Sequence, residues 1–290
     1  MRKSRDVPPR ERPKDCWLKY ISSAGTKKYT GQVIARGEYS LHPDYRDLFN
    51  PNSYYSDEVM LADQYLWGES TERNLESEYV KWQGIRGVMG WGMFSPSEAL
   101  DQAYETGDPR RTATIFYDGE TLEGKGEIHF KKEVPPRANK KTIWPTGYWN
   151  ENSFAKQNCH LIFLRYADVL LMLAEAENEA GKAPTDLAYD AINEVRERAG
   201  IDKVENLSYA EFQQEVRDER ARELCFESLR KYDLIRWGIY YDAAHNKLTE
   251  ATNDKRWTTS GYYKAAKEYA ANTEERHQFL PIPMKELGVN

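Results

Sequence analysis

The sequence predicts a mostly α-helical protein: stacked helix pairs of tetratricopeptide-like type, preceded by a loop-rich aromatic region. Three observations carry that expectation. Apolar residues recur at helical spacing through residues 163–237, Gly and Pro punctuate that run into separate segments, and Trp17, Trp67, Trp82, Trp91, Trp144 and Trp149 crowd a first half with little helical periodicity and many Gly, Pro, Asn and Asp residues.

The first helix is expected over 163–180, where Phe163, Ala167, Leu170, Leu171 and Ala174 share a face, Leu, Met, Val or Ala fills nearly every turn, and Gly181 supplies a stop. A helix buried on most sides needs neighbours. The second starts after Pro184 and Thr185, sets Ala188, Ile192, Val195 and Ala199 on one face with Asn193, Glu194, Arg196, Glu197 and Arg198 over most of the rest, and ends at Gly200. Joined by Gly-Lys-Ala-Pro, the two form a hairpin that must stack on further helices, as repeat proteins do. The third opens on Ser208 and Glu211, the S-x-x-E capping box, and runs through Phe212, Val216 and Leu224 toward Phe226. Its dense charges allow Asp218 to meet Arg222, and set Glu223 against Glu227 unless an arginine intervenes. The apolar residues among them predict a partly buried arginine–carboxylate lattice. One more short helix is expected over 262–271, and Pro281 and Pro283 make the segment around them extended.

RYADVLLMLAEAENEAG, AINEVRERAGI, VRDERARELCFESLRKYDLIRWG and FLPIPMKEL, in that order and spacing, resemble the C-terminal half of the SusD/RagB family of nutrient-binding outer-membrane lipoproteins. Weaker similarity lies upstream in GEYSLHPDYRDLFNPNSYYSDEVMLADQY and SPSEALDQAYETGDPRRTATI, so the resemblance covers residues 31–290. One departure is Ser228-Leu229-Arg230, where the family commonly has Gly-His-Arg. The resemblance implies one SusD-like C-terminal domain over 1–290: a loop-rich aromatic region over 1–160, stacked helices over 161–245 and a C-terminal tail over 246–290. It also implies a non-catalytic binder at the extracellular face of the outer membrane that delivers oligosaccharide or polysaccharide to a SusC-like TonB-dependent transporter. Some relatives import peptide instead. The chain opens MRKSRDVPPRERPKD, without an apolar export segment, so it is expected to be a C-terminal piece of a longer protein, with the lipid anchor not among these residues.

The bulk composition excludes other classes. A formal charge of −6 over 290 residues argues against nucleic acid, whose phosphates need a basic stripe. The longest apolar run, 169–174, is far too short to cross a bilayer. Cys16, Cys159 and Cys225 lack metal-ligand spacing and imply no disulfide framework. No nucleophile elbow, zinc-binding helix or Walker loop occurs, and the one E-x-x-H, Glu274 to His277, lacks the second pair a di-metal site needs. No enzyme, metal or cofactor is expected.

Indole and phenol rings suit both protein interfaces and the C–H faces of sugars. Any single Trp reads first as core packing, but as a group in loops some are expected to be exposed. The first candidate cluster is Gln64, Tyr65, Trp67, Trp82, Arg86 and Trp91, around the glycine-punctuated GIRGVMGWG: Trp67, Trp82 and Trp91 as stackers, with Gln64 and Arg86 bonding hydroxyls. The second, Trp144, Tyr148, Trp149 and Asn152, reads equally as a packed loop. A scaffold that binds only protein, its aromatics serving the interface, is the alternative to a sugar binder.

Overall fold

Capping side chains set the starts of several helices, and long-range pairing sets others. The computed structural model describes residues 23–50, 53, 55–65, 79–131, 136–144, 149–150, 156–157, 160–247 and 261–278. In chain order these form α1 (Ser23–Arg36), a 3-10 turn (Asp47–Phe49), β1 (Val59–Asp63), α2 (Tyr79–Gln83), α3 (Glu98–Ala103), α4 (Pro109–Thr114), β2 (Ile115–Tyr117), β3 (Thr121–Leu122), β4 (Gly126–Glu127), β5 (Arg137–Asn139), β6 (Trp149–Asn150), β7 (Lys156–Gln157) and β8 (Leu161–Arg165). The helical half follows: α5 (Tyr166–Gly181), α6 (Asp186–Ala199), α7 (Tyr209–Glu223), α8 (Arg230–Arg236), the single turn α9 (Tyr240–Asp242) and α10 (Gly261–Asn272). The short strands pair antiparallel as β1–β8, β2–β5, β3–β4 and β6–β7.

Thr185 caps α6 by accepting from the Ala188 amide, and Gly200 ends it at φ 76, where glycine carries no side-chain penalty. The capping box at Ser208 and Glu211 forms in both directions. Ala167, Leu170, Leu171 and Ala174 of α5 meet Ala188, Ile192 and Val195 of α6 and Phe212 and Val216 of α7 in one core. Two expectations are corrected. Phe163 lies in β8 and is 47% exposed; the helix begins only at Tyr166, because β8 must pair with β1 (Val59 opposite Arg165) before the chain turns inward. And α7 stops at Glu223 instead of continuing toward Phe226, which sits at φ 62.

Residues 23–36, within the region expected to be loops, form α1, which packs along α5 and supplies the extra layer that the buried α5 requires. Ile34 packs on the core and the Lys27 ammonium reaches Glu177 at 2.9 Å. At the other end, α10 packs on the Ala243–Lys247 turn, with Ala270 buried and the Tyr240 and Tyr269 hydroxyls 2.6 Å apart. The segment around Pro281 and Pro283, the N-terminal basic run, Cys16 and Cys159 lie outside the described residues.

The expected lattice is present, but most of its partners come from distant elements. Arg165 bonds Glu58 (2.6 Å), Glu223 (2.6 Å) and Glu227 (2.8 Å); Arg110 bonds Asp108 (2.8 Å), Glu219 (2.5 Å) and Glu223 (2.8 Å). Arg198 joins Glu58 to Glu223, and Arg222 bonds Glu219 at 2.7 Å. The expected Asp218–Arg222 pair does not form: Asp218 accepts from Gln214 while Arg222 turns to Glu215 and Glu219. Arg165 is the intervening arginine that lets Glu223 and Glu227 lie close. The free carbonyls at the end of α7 are satisfied as well, with the Glu223 carbonyl accepting from Tyr45 (3.0 Å), Lys141 (3.0 Å) and Arg165 (2.8 Å).

Burial alone would raise the carboxyls of Glu219, Glu223 and Glu227, but the facing guanidiniums (and Lys141 at Glu227) hold all three below the usual range, Glu223 well below. A carboxyl depressed in the folded state binds protons more readily when unfolded. Its stabilisation is therefore complete above the unfolded value of about 4.3 and lost as pH falls through the folded value. The melting temperature is expected to stay level from pH 8 to about 5 and to fall steeply below about pH 4.3, read by circular dichroism against pH.

Ser228 adopts φ 66, a left-handed conformation that favours glycine. This is the position where the SusD/RagB pattern carries Gly. Ser228→Gly is expected to stabilise the chain by about 0.5–1 kcal/mol, seen as a higher urea midpoint with an unchanged slope.

Candidate functional site: an exposed tryptophan ridge

The candidate site begins with a tight reversal. After α2, the Ile85 carbonyl accepts from the amides of Val88 (3.1 Å) and Met89 (3.0 Å), and Gly87 donates to Gly90 (3.2 Å). The chain thus returns along α2, with the Trp91 amide on the Lys81 carbonyl (2.7 Å) and the Met93 amide on the Trp82 carbonyl (2.8 Å). That backbone register places Trp82 against Trp91, edge to face, with centroids 4.7 Å apart and planes at 80°.

The reversal is anchored from below. Ile85 and Met89 are fully buried among Phe116, Leu122, Ile128 and Ile143, while Gln83 accepts from the buried Asn139 amide. Above this anchor, Trp82 and Trp91 are 41% and 39% exposed, and Met93 and Phe94 extend the apolar surface. The Lys81 ammonium lies 4.9 Å from the Trp91 ring centroid, and Arg86 donates to the Trp91 carbonyl at 3.2 Å. Gly90 is required because a Cβ there would meet the Gly84 Cα at 2.7 Å. Gly90→Ala is expected to cost about 1–3 kcal/mol and to separate the two indoles, visible as a loss of near-ultraviolet dichroism.

Two sequence candidates fall elsewhere. Gln64 and Tyr65 leave the end of β1, and among the described residues no hydrogen bond or ring contact links them to Trp82, Arg86 or Trp91. The single cluster expected from the sequence is therefore split. Gln64 instead borders a shallow groove of about 400 Å³ with Tyr39, Tyr55 and Asp57, in which Tyr55 is 87% exposed. It also lines a small cleft with His160, whose imidazole burial holds below its ordinary value against an opposing hydrogen bond to the Asp63 backbone. Trp67 lies outside the described residues, as do Tyr148 and Asn152. Trp144 is buried with the Arg46 guanidinium 4.1 Å from its ring centroid, which makes it a packing residue.

The sequence reading missed Tyr39, Tyr55, Met93 and Phe94. The signal for Tyr55 was its place after the turn-forming Asn-Pro-Asn-Ser. The ridge and the Tyr39–Tyr55 groove present flat apolar faces edged by amides, a guanidinium and carboxylates, a surface suited to holding a polyhydroxylated ligand. Among the described residues no group of three or more His, Cys, Asp or Glu is placed to hold a metal ion, and no helix is long and apolar enough to cross a membrane.

The family model for the SusD family matches residues 57–290. The chain belongs to the SusD family. This SusD-family chain is 28% identical over 291 residues to SusD-like protein P25 of Formosa agariphila, covering 89% of the chain and 52% of that relative. It is 30% identical over 227 residues to SusD-like protein P2 of the same organism, covering 70% of the chain and 44% of that relative. It therefore spans about half the length of the curated relatives it matches. Among solved structures, a SusD homolog from Bacteroides thetaiotaomicron superimposes with a TM-score of 0.72 at 27% identity, over 91% of this chain and 57% of that one. The surface glycan-binding protein A of the same organism shares the fold, with a TM-score of 0.68 at 22% identity, over 93% of this chain and 58% of that one.

Proposed function

We propose that this chain is the glycan-binding portion of a non-catalytic surface protein of nutrient uptake. The carrying observation is the Trp82–Trp91 ridge: two indoles fixed edge to face on a buried anchor, yet each about two-fifths exposed. A protein spends stability to keep such surface wet, and an immobilised aromatic platform loses little entropy when a sugar face settles on it. In this reading Trp82 and Trp91 stack on sugar rings, Arg86 bonds hydroxyls, and Gln64 with Tyr65 marks a second contact zone beside Tyr55. Membership of the SusD family, and a structural neighbour that is itself named a surface glycan-binding protein, support the reading.

The bound oligosaccharide then passes to a SusC-like TonB-dependent transporter at the outer membrane. Such a hand-over needs release as much as capture, and a few stacking contacts with hydrogen bonds of about 1 kcal/mol each give a Kd of roughly micromolar to millimolar. Titration calorimetry against neutral plant, host and microbial oligosaccharides tests the reading. Saturable heat in that range, without cleavage of the ligand, is the expected outcome. Absence of heat with every sugar leaves the protein-only scaffold, and cleavage products would make it a hydrolase.

A further inference from the structure

The arginines of the lattice are matched by carboxylates; Arg217 and Arg230 are not. Among the described residues neither forms an ion pair: Arg230 donates to the Arg217 carbonyl at 2.9 Å, and the Arg217 Nε is buried without a hydrogen-bond partner. Both guanidiniums lie beside the Trp237 ring, at 5.1 and 5.3 Å from its centroid, where the paired Arg236 already sits at 4.7 Å. Three cations around one ring repel one another, and the cation–π attraction offsets only part of that. Burial holds Arg230 below its ordinary value; Asp233 and Asp218 offset part of this, and Arg220 and Arg217 add to it.

Arg217 and Arg230 both line a cavity of about 580 Å³ bordered by α3, α7 and α8. Its apolar wall includes Leu100, Leu224 and Leu234. The neighbouring carboxylates are engaged, Asp233 by Arg220 and Arg236 and Asp218 by the Gln214 amide, which leaves Asp242 exposed at the lining. A half-buried guanidinium with unused donors in an open cavity is the arrangement that recognises a carboxylate or sulfate oxygen.

We propose that this cavity binds an anionic group, a carboxylate or a sulfate on a small ligand, between Arg217 and Arg230. The site is separate from the tryptophan ridge and contributes selectivity for charged ligands over neutral ones.

Calorimetry on the full chain tests it with four probes: a glucuronate-containing disaccharide, a sulfated disaccharide, a neutral disaccharide and inorganic sulfate. At least one anionic probe is expected to bind tenfold or more tighter than the neutral one, with the preference abolished in Arg217→Gln and Arg230→Gln at unchanged dichroism. Which anionic probe wins assigns the source of the charge. As a second readout, the anionic probe that binds is expected, at low millimolar concentration and constant ionic strength, to raise the melting temperature of the unmodified chain and not that of the Arg217→Gln/Arg230→Gln double variant. Equal binding of charged and neutral probes, a preference that survives the double variant, or an equal rise in melting temperature in the unmodified chain and the double variant overturns the proposal. Neutral-sugar binding at Trp82 and Trp91 is scored in the same titrations, so loss of one site is distinguishable from loss of the other.

Discussion

Glu223→Ala is expected to destabilise the chain by about 3–5 kcal/mol, the cost of leaving buried guanidiniums without their shared counter-charge. Glu223 is fully buried and bridges Arg110, Arg165 and Arg198, which arrive from α4, β8 and α6. Water cannot reach those cations to replace the lost carboxylate. The loss is a large part of a total stability of about 5–15 kcal/mol and corresponds to a fall in Tm on the order of 10 °C. Lys203→Ala provides the contrast. Its ion pair with Glu197 is just as short, at 2.7 Å, but both side chains are more than half exposed, so solvent screens the charges and no measurable change in Tm is expected. Thermal melts of the two variants beside the parent decide it; a Glu223→Ala melt within 2 °C of the parent would sink the claim that the lattice organises the fold.

Trp82→Ala and Trp91→Ala are each expected to weaken glycan binding by about 2 kcal/mol, roughly thirtyfold in Kd, without unfolding the chain. Both rings are partly exposed, whereas the anchoring burial belongs to Ile85 and Met89 beneath them. Because the indoles touch edge to face, removing either frees the other to reorient, and the double variant is expected to lose less than the sum of the singles. Trp144→Ala is expected to behave in the opposite way: its ring is buried against Arg46, so stability falls while the affinity of the folded fraction is kept. Calorimetry with dichroism on each variant separates the two behaviours. Unchanged affinity in both Trp82→Ala and Trp91→Ala would move the ligand elsewhere, the Tyr39–Tyr55 groove being the next candidate.

The parts of the fold that were legible in the sequence are those fixed by residues close along the chain. Thr185 and Gly200 bound α6, and Ser208 with Glu211 starts α7, because a cap is a contact over three or four residues. Where long-range contacts decide, the sequence was silent. α1 contains Gly25, Gly31, Thr26 and Thr30, weak helix formers, and it is packed along α5 and tied to it by Lys27 to Glu177. The lattice was legible as a charge density on α7, but its partners Glu58, Arg110 and Arg165 lie 58 to 165 positions from Glu223, by subtraction along the numbering, and no local pattern names them. The ridge was half legible. Trp82 and Trp91 are brought together by a glycine reversal visible in GIRGVMGWG, whereas Gln64 and Tyr65 follow directly on β1, whose partner is β8.

Fluorine resonances of the chain carrying 5-fluorotryptophan, followed while a neutral oligosaccharide found by calorimetry is titrated in, test the central claim most directly. The account predicts that the signals of Trp82 and Trp91, assigned by their loss in the alanine variants, shift saturably with the calorimetric Kd, while those of Trp144 and Trp237 stay fixed. A ligand that binds with the same Kd and leaves both ridge signals unmoved would contradict it.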